Sequence, residues 1–131
     1  MAESDQKATV RRFVDRFNHR DFDGLVAETG PDTVLNEWPT APGAQSYRGP
    51  EEIRRAFENW FESWEWMQIE LEDMEEAGDR VIATFHQRAR GRGSEAEVEA
   101  RSFNVWSFKE GHVRDISLFT DRAPAVEAFR R

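Results

Sequence analysis

The spacing of the apolar residues changes once along this chain, near Met67, and that change limits the folds open to it. Before it, Val10, Phe13, Val14 and Phe17 recur at i, i+3, i+4 and i+7, as one face of an α-helix requires. Ser4 or Asp5 can cap the start of this helix, and Asn18-His19-Arg20-Asp21 breaks it. Asp21 can cap a short second helix with Phe22, Leu25 and Val26 inward, ended by Gly30-Pro31-Asp32. Ile53, Phe57, Trp60, Phe61 and Trp64 give a third helix a broad apolar face. Its start at Gly49-Pro50-Glu51-Glu52 places a proline in the first turn and two carboxylates at the positive end of the helix dipole. The spacing predicts helices over 5–18, 21–29 and 50–65.

After the change, Met67, Ile69 and Leu71 alternate with Gln68, Glu70 and Glu72. Turns are expected at Ala77-Gly78-Asp79, Gly91-Arg92-Gly93-Ser94 and Glu110-Gly111, with strands over 81–90, 95–109 and 112–121. Residues 33–38 read as one more short strand, 39–49 as a loop and 123–129 as a terminal helical turn. Helices followed by a four-strand antiparallel meander give an α+β class, with the helices on one face of the sheet. A long curved antiparallel sheet under N-terminal helices predicts a cone-shaped half-barrel that encloses a ligand-sized pocket. No repeat, low-complexity tract or linker interrupts the chain, so one domain over 1–131 is expected.

Charge and composition exclude several function classes. A net charge of −8 repels phosphate at long range, which argues against a nucleic-acid partner. With no cysteine there is no disulfide, thiolate metal site or Cys nucleophile. His19, His86 and His112 lack metal-ligand spacing, and Gly91-Arg92-Gly93 lacks the strand–turn–helix setting of a nucleotide fingerprint. No metal and no cofactor are therefore expected. Met1-Ala2-Glu3-Ser4-Asp5 has none of the basic and apolar character of a secretory signal, and no apolar run has membrane-spanning length. A cytoplasmic location and no membrane partner are expected. Ten Phe, five Trp and one Tyr are enough to line both a core and a cavity.

Several segments, in order, resemble the nuclear transport factor 2-like superfamily, in its SnoaL-like and ketosteroid isomerase-like branch. They are the Phe13-to-Phe17 helix, Asp21-Phe22-Asp23-Gly24-Leu25, Tyr47-Arg48-Gly49-Pro50-Glu51-Glu52-Ile53, Gly78-Asp79-Arg80-Val81, and the run from Val105 to Arg114 with Asp121 soon after. The resemblance spans nearly the whole chain and implies a cystatin-like cone. It also implies a homodimer through the outer face of the sheet, where Phe85, Phe103 and Val105 are expected. Isomerases, cyclases, dehydratases, epoxide hydrolases and non-catalytic binders share this fold, so the fold does not name the reaction.

By the same resemblance, Glu37 falls where ketosteroid isomerases keep their proton-shuttling carboxylate. Trp38 and Pro39 flank it, and a carboxylate desolvated beside an indole is the stronger base. The other reading is a surface pair with Arg48. The tyrosine that holds the oxyanion in that family reads Phe13 here, and its aspartic acid reads Asn104, which can still donate a hydrogen bond. The Thr84, His86 and Arg88 face of its strand is expected toward the cavity. There His86 suits acid/base work and Arg88 can clamp a carboxylate or enolate; an alternation read one residue off would leave His86 in solvent, and an interior histidine can also serve only to order a hydrogen-bond network. Asp121 lies where SnoaL-like cyclases carry an acid/base Asp, although its position before Ala123-Pro124 favours a helix cap.

Trp106 shares the parity of Asn104. With Phe13, Phe17, Trp38, Trp60, Arg88 and Leu118 it is expected to line the substrate site, although Trp60 and Trp64 also have the spacing of core residues. Arg88-Ala89-Arg90-Gly91-Arg92 followed by Glu95, Glu97 and Glu99 reads as a solvated hairpin with cross-strand pairs. Two functions follow. One is a cofactor-independent isomerase, cyclase or lyase acting by acid/base chemistry on a hydrophobic carbonyl-bearing or polycyclic molecule. The other is a non-catalytic module that binds a hydrophobic ligand or dimerises. Light scattering checks the dimer: a monomer at micromolar concentration refutes it.

Overall fold

The computed structural model describes residues 3–39 and 42–131. Residues 1 and 2 of the N-terminus, and 40 and 41 of the expected loop, lie outside the described residues. The elements run α1 (Asp5–Asn18), α2 (Phe22–Val26), β1 (Val34–Glu37), β2 (Gln45–Arg48), α3 (Gly49–Glu62), β3 (Trp64–Ala77), β4 (Arg80–Gly91), β5 (Glu97–Lys109), β6 (His112–Phe119) and α4 (Arg122–Arg130).

Local chemistry sets most of these boundaries. The Ser4 hydroxyl accepts the Lys7 N–H at 3.2 Å and caps α1, and the Asp21 carboxylate accepts the Gly24 N–H at 2.9 Å and caps α2. Gly49 has φ 81°, a left-handed turn that glycine adopts without a Cβ clash, and its N–H donates to the Thr33 carbonyl at 2.9 Å. That turn joins β2 to α3. The third helix stops at Glu62, so Trp64 opens β3 instead of closing α3. The loop expected over 39–49 contains β2, which the pattern concealed because three of its four residues are exposed.

The six strands lie in the order β2-β1-β6-β5-β4-β3. The expected cone-shaped half-barrel does not form: the sheet is open and not strongly curled. Closure requires a matched stagger all round a sheet. Here one edge is the four-residue β2 and the other the fourteen-residue β3, and they offer no common length to pair. Nor is the sheet wholly antiparallel, because β1 runs parallel to β6, with Leu35 beside Ile116 and Glu37 beside Leu118. A period of two shows that a segment is a strand but not which strand it lies beside.

The core sits between one face of the sheet, here called the inner face, and helices α1 and α3. Val10, Leu35, Ile53, Phe57, Val81 and Phe85 are its most completely buried large side chains. The helices are not all on this side. On the outer face α4 packs Ala125 against Ile82, Val105 and Phe119, with Phe103 alongside. Phe85, expected on the outer face, is buried on the inner one, and α4 covers the apolar patch of Phe103 and Val105. No helix among the described residues is long and apolar enough to cross a membrane.

The end of α1 is tied to the edge strand by one side chain. The Asn18 amide donates to the Ile69 carbonyl at 2.9 Å and accepts the Ile69 N–H at 2.8 Å, as a neighbouring strand would. Asn18→Ala is expected to lower the unfolding free energy by about 1–3 kcal/mol, because it leaves both groups of a buried residue unpaired. Urea unfolding measures it. A loss below about 0.5 kcal/mol would show that water replaces the amide.

Candidate functional site

Register decides which side chains can meet. On β4 the inner-face residues are Val81, Ala83, Phe85, Gln87 and Ala89; across from them on β5 lie Trp106, Asn104, Ser102, Ala100 and Val98. Asn104 pairs in turn with Leu118 of β6, and Leu118 with Glu37 of β1. Glu37, Leu118 and Asn104 therefore form one row across three strands. Strands are about 4.8 Å apart, so the Cα atoms of Glu37 and Asn104 are roughly 10 Å apart.

Over this row lies a cavity of about 190 Å³. Phe13 and Phe17 of α1 and Phe57 and Trp60 of α3 roof it, and Trp38 and Trp64 lie at its sides. The sheet contributes Met67, Ile69, Phe85 and Leu118. The polar lining is Gln87, Ser102 and Asn104, all neutral. Ser102 and Asn104 stand two residues apart on β5, about 6.6 Å. Gln87, opposite Ala100, is diagonal to Ser102, roughly 7–8 Å away. Asn104 is 4% exposed, and its Oδ1 accepts no hydrogen bond from the described residues. Among the described residues the Gln87 Nε2 donates only to the Met67 thioether at 3.7 Å, a weak acceptor.

Glu37 is half-buried beside this cavity but is not one of its lining residues. Its Oε2 accepts the Tyr47 hydroxyl at 3.0 Å and the Trp60 Nε1–H at 3.2 Å. Pairing with Arg48 does not occur, since Arg48 lies 3.6 Å from Asp32. The Tyr47 phenol is pushed above its ordinary pKa, first by burial and then by its bond to the Glu37 carboxylate and that group's charge. Trp38, the next residue, has φ 42°, a left-handed backbone that costs a bulky residue about 1–3 kcal/mol. The turn lays its indole on Trp60, with ring centroids 5.9 Å apart at 41°.

The remaining expected site residues divide. Phe13, Phe17, Trp38, Trp60, Asn104 and Leu118 line the cavity. His86 and Arg88 do not: they stand on the outer face, where His86 Nε2 is 3.6 Å from Glu99 and Arg88 is exposed. The alternation of β4 is one residue out of step with that expected. The inner set of Val81, Ala83, Phe85 and Ala89 is the more apolar of the two, and that was the available signal. Reading it would also have found Gln87. Trp106 faces inward but below the cavity, edge-on to Phe13 at 5.0 Å, with its Nε1 buried and unpartnered beside a separate void of about 20 Å³. Asp121 is exposed at the N-cap position of α4, makes no capping hydrogen bond and does not reach the cavity. Ser102 carried no motif by which to single it out, Tyr47 stood in a quoted motif but with no role assigned to it, and Trp64 was expected on the core face of the third helix.

Among the described residues no cluster of three or more His, Asp or Glu is placed to hold a metal ion. A sequence profile described as the SnoaL-like domain matches residues 10–116. No match was found among curated proteins. Among solved structures, an NTF2-like protein of unknown function from Burkholderia pseudomallei superposes with a TM-score of 0.81. The two are 18% identical over 98% of this chain and 100% of the other. TerC, crystallised with polyporic acid, gives 0.77 at 15% identity over 98% of this chain and 100% of its own. A protein with a ketosteroid isomerase-like fold from Catenulispora acidiphila, in complex with trimethylamine, gives 0.77 at 12% identity over 92% and 90%. At these identities the likeness is one of fold.

Tyr47 is the only tyrosine in the chain, so tyrosinate absorbance at 295 nm reports it alone. The expected midpoint lies above the ordinary value near 10. Glu37→Gln should lower it part of the way, because burial remains. A raised folded-state pKa means that this contribution to stability is present below the unfolded value and is lost as pH climbs through the folded one. Stability should therefore fall above about pH 10. A midpoint at or below the ordinary value would contradict the hydrogen bond.

Proposed function

We propose that this chain, which belongs to the SnoaL-like domain family, binds a small, mainly apolar molecule in its cavity and performs acid/base chemistry on it with Glu37 as the base. Asn104 carries the reading. A buried acceptor without a donor costs about 1–3 kcal/mol, and native structures rarely keep one without a reason. A ligand in the apolar cavity can supply the missing donor. The amide's own N–H groups can stabilise an oxyanion developing on a carbonyl ligand.

Glu37 supports the chemical half of the proposal. Tyr47 and Trp60 both bind Oε2 and hold the carboxylate on the inner face, while Oε1 accepts no hydrogen bond among the described residues. That oxygen is the one available to take a proton. Isomerase, cyclase and lyase outcomes all begin with such a step, and the ligand decides among them. The crystallisation of TerC with polyporic acid is in keeping with small-molecule binding by this fold.

A second reading, binding without turnover, is favoured by one observation: Glu37 stands beside the cavity and does not line it. Deuterium exchange next to the carbonyl of a panel of cyclic ketones, followed by NMR, separates the two without knowledge of the natural reaction. The protein should accelerate exchange of the ketones it binds. Glu37→Gln should cut that rate about a hundred- to ten-thousand-fold while binding persists, and Asn104→Leu should weaken binding as well. Ketones that bind with no exchange would leave binding alone as the function.

A further inference from the structure

The cavity's size and the spacing of its polar groups specify its ligand more narrowly than a hydrophobic carbonyl compound. We infer that it takes an uncharged aromatic molecule of one or two rings with two hydrogen-bonding substituents, one met by Asn104 and the other by Ser102 and Gln87. This rests on the reading of the cavity as a binding site.

Size comes first. An apolar cavity of about 150 Å³ takes up a benzene ring, and pockets for drug-sized ligands begin near 300 Å³. At about 190 Å³ this one encloses a substituted ring or two fused rings. A four-ring frame would leave much of its apolar surface in water and lose that part of the hydrophobic gain.

Shape and charge come next. Aromatic rings border the cavity on several sides: Phe13, Phe57 and Trp60 from the helices, Phe85 from the sheet, and Trp38 at the side. Such walls favour offset and edge contacts with a flat ring. Among the described residues no charged side chain lines the cavity, and a buried ion of either sign without a countercharge is strongly disfavoured. The ligand is therefore neutral.

The polar stripe fixes where its substituents go. Asn104 and Ser102 lie about 6.6 Å apart along β5, and Gln87 flanks Ser102 diagonally. Among the described residues Asn104 Oδ1 has no donor, and Gln87 gives its amide only to a thioether. Two groups at opposite ends of a one- or two-ring frame span that interval. Gln87 and Ser102 thereby become specificity residues in their own right.

Equilibrium dialysis with naphthalene, 2-naphthol, 2,6-dihydroxynaphthalene, 2-naphthoate and a four-ring steroid ketone tests this. Affinity should rise about three- to tenfold with each hydroxyl, the worth of one net hydrogen bond, and the naphthoate and steroid should bind more weakly than 2-naphthol. Ser102→Ala combined with Gln87→Leu should remove the gain from the second hydroxyl and keep naphthalene binding. Ser102→Ala alone, which should reduce that gain, serves if the pair does not fold. The inference is overturned if the hydroxyls add nothing, if the steroid or naphthoate binds as tightly as the diol, or if the variants keep the full gain. If no probe of any kind binds, the binding-site reading itself falls, which is a different result from any of these.

Discussion

Phe13 packs on Phe17, Phe57, Phe85 and Trp106 at once, with ring centroids 5.0 to 6.4 Å apart. Those contacts join α1 to α3, β4 and β5 at one point, and the rest of the molecule depends on them. Truncating a buried ring of this kind costs about 3–5 kcal/mol. The larger consequence is geometric. Side chains alternate between the faces of a strand, so a slip of one residue exchanges every inward residue for an outward one. With Phe85 and Trp106 held inward at 1% and 2% exposure, Gln87, Ser102 and Asn104 must face the cavity. His86, Arg88 and Arg101 must face away. Packing of apolar rings thus decides the chemistry of the pocket.

The two faces of the sheet follow different electrostatic rules. Outside, Arg101 pairs with Glu72 at 2.7 Å, His86 lies near Glu99, and Arg90 reaches Glu65 and Glu97 at 3.8 and 3.5 Å. Exposed pairs of this sort contribute no more than about 1 kcal/mol each, and their main effect is to keep that face solvated. Inside, no charged side chain lines the cavity among the described residues. The nearest carboxylate, Glu37, is held at its side by two neutral donors, Tyr47 and Trp60.

How much of this the sequence reveals depends on the kind of information involved. Helical spacing locates α1 and α3, and the turn residues locate the hairpins between β3, β4, β5 and β6. The SnoaL-like resemblance read from ordered motifs agrees with the profile match over residues 10–116. What a repeat of two cannot carry is strand order. The parallel pairing of β1 with β6, the open edges and the exposed β2 all arise from tertiary packing. Asn104 was legible through the motif around it. Ser102 was not, because a neutral side chain within a strand has no signature until its neighbours fix its direction, and Gln87 was legible only through the apolar alternation on either side of it. His86 shows the reverse error. A residue type suited to catalysis drew attention to the outer face, although Val81, Ala83, Phe85 and Ala89 already marked the inner one.

Apolar packing turns a neutral polar stripe, and not the histidine face, toward the cavity. The most direct measurement is the NMR spectrum of the side chains during titration with 2-naphthol. The Asn104 and Gln87 amide signals and the Trp60 indole N–H are expected to move together and saturate at one affinity, while the His86 ring signals stay fixed. Movement of His86 with no change at Asn104 and Gln87 would contradict it.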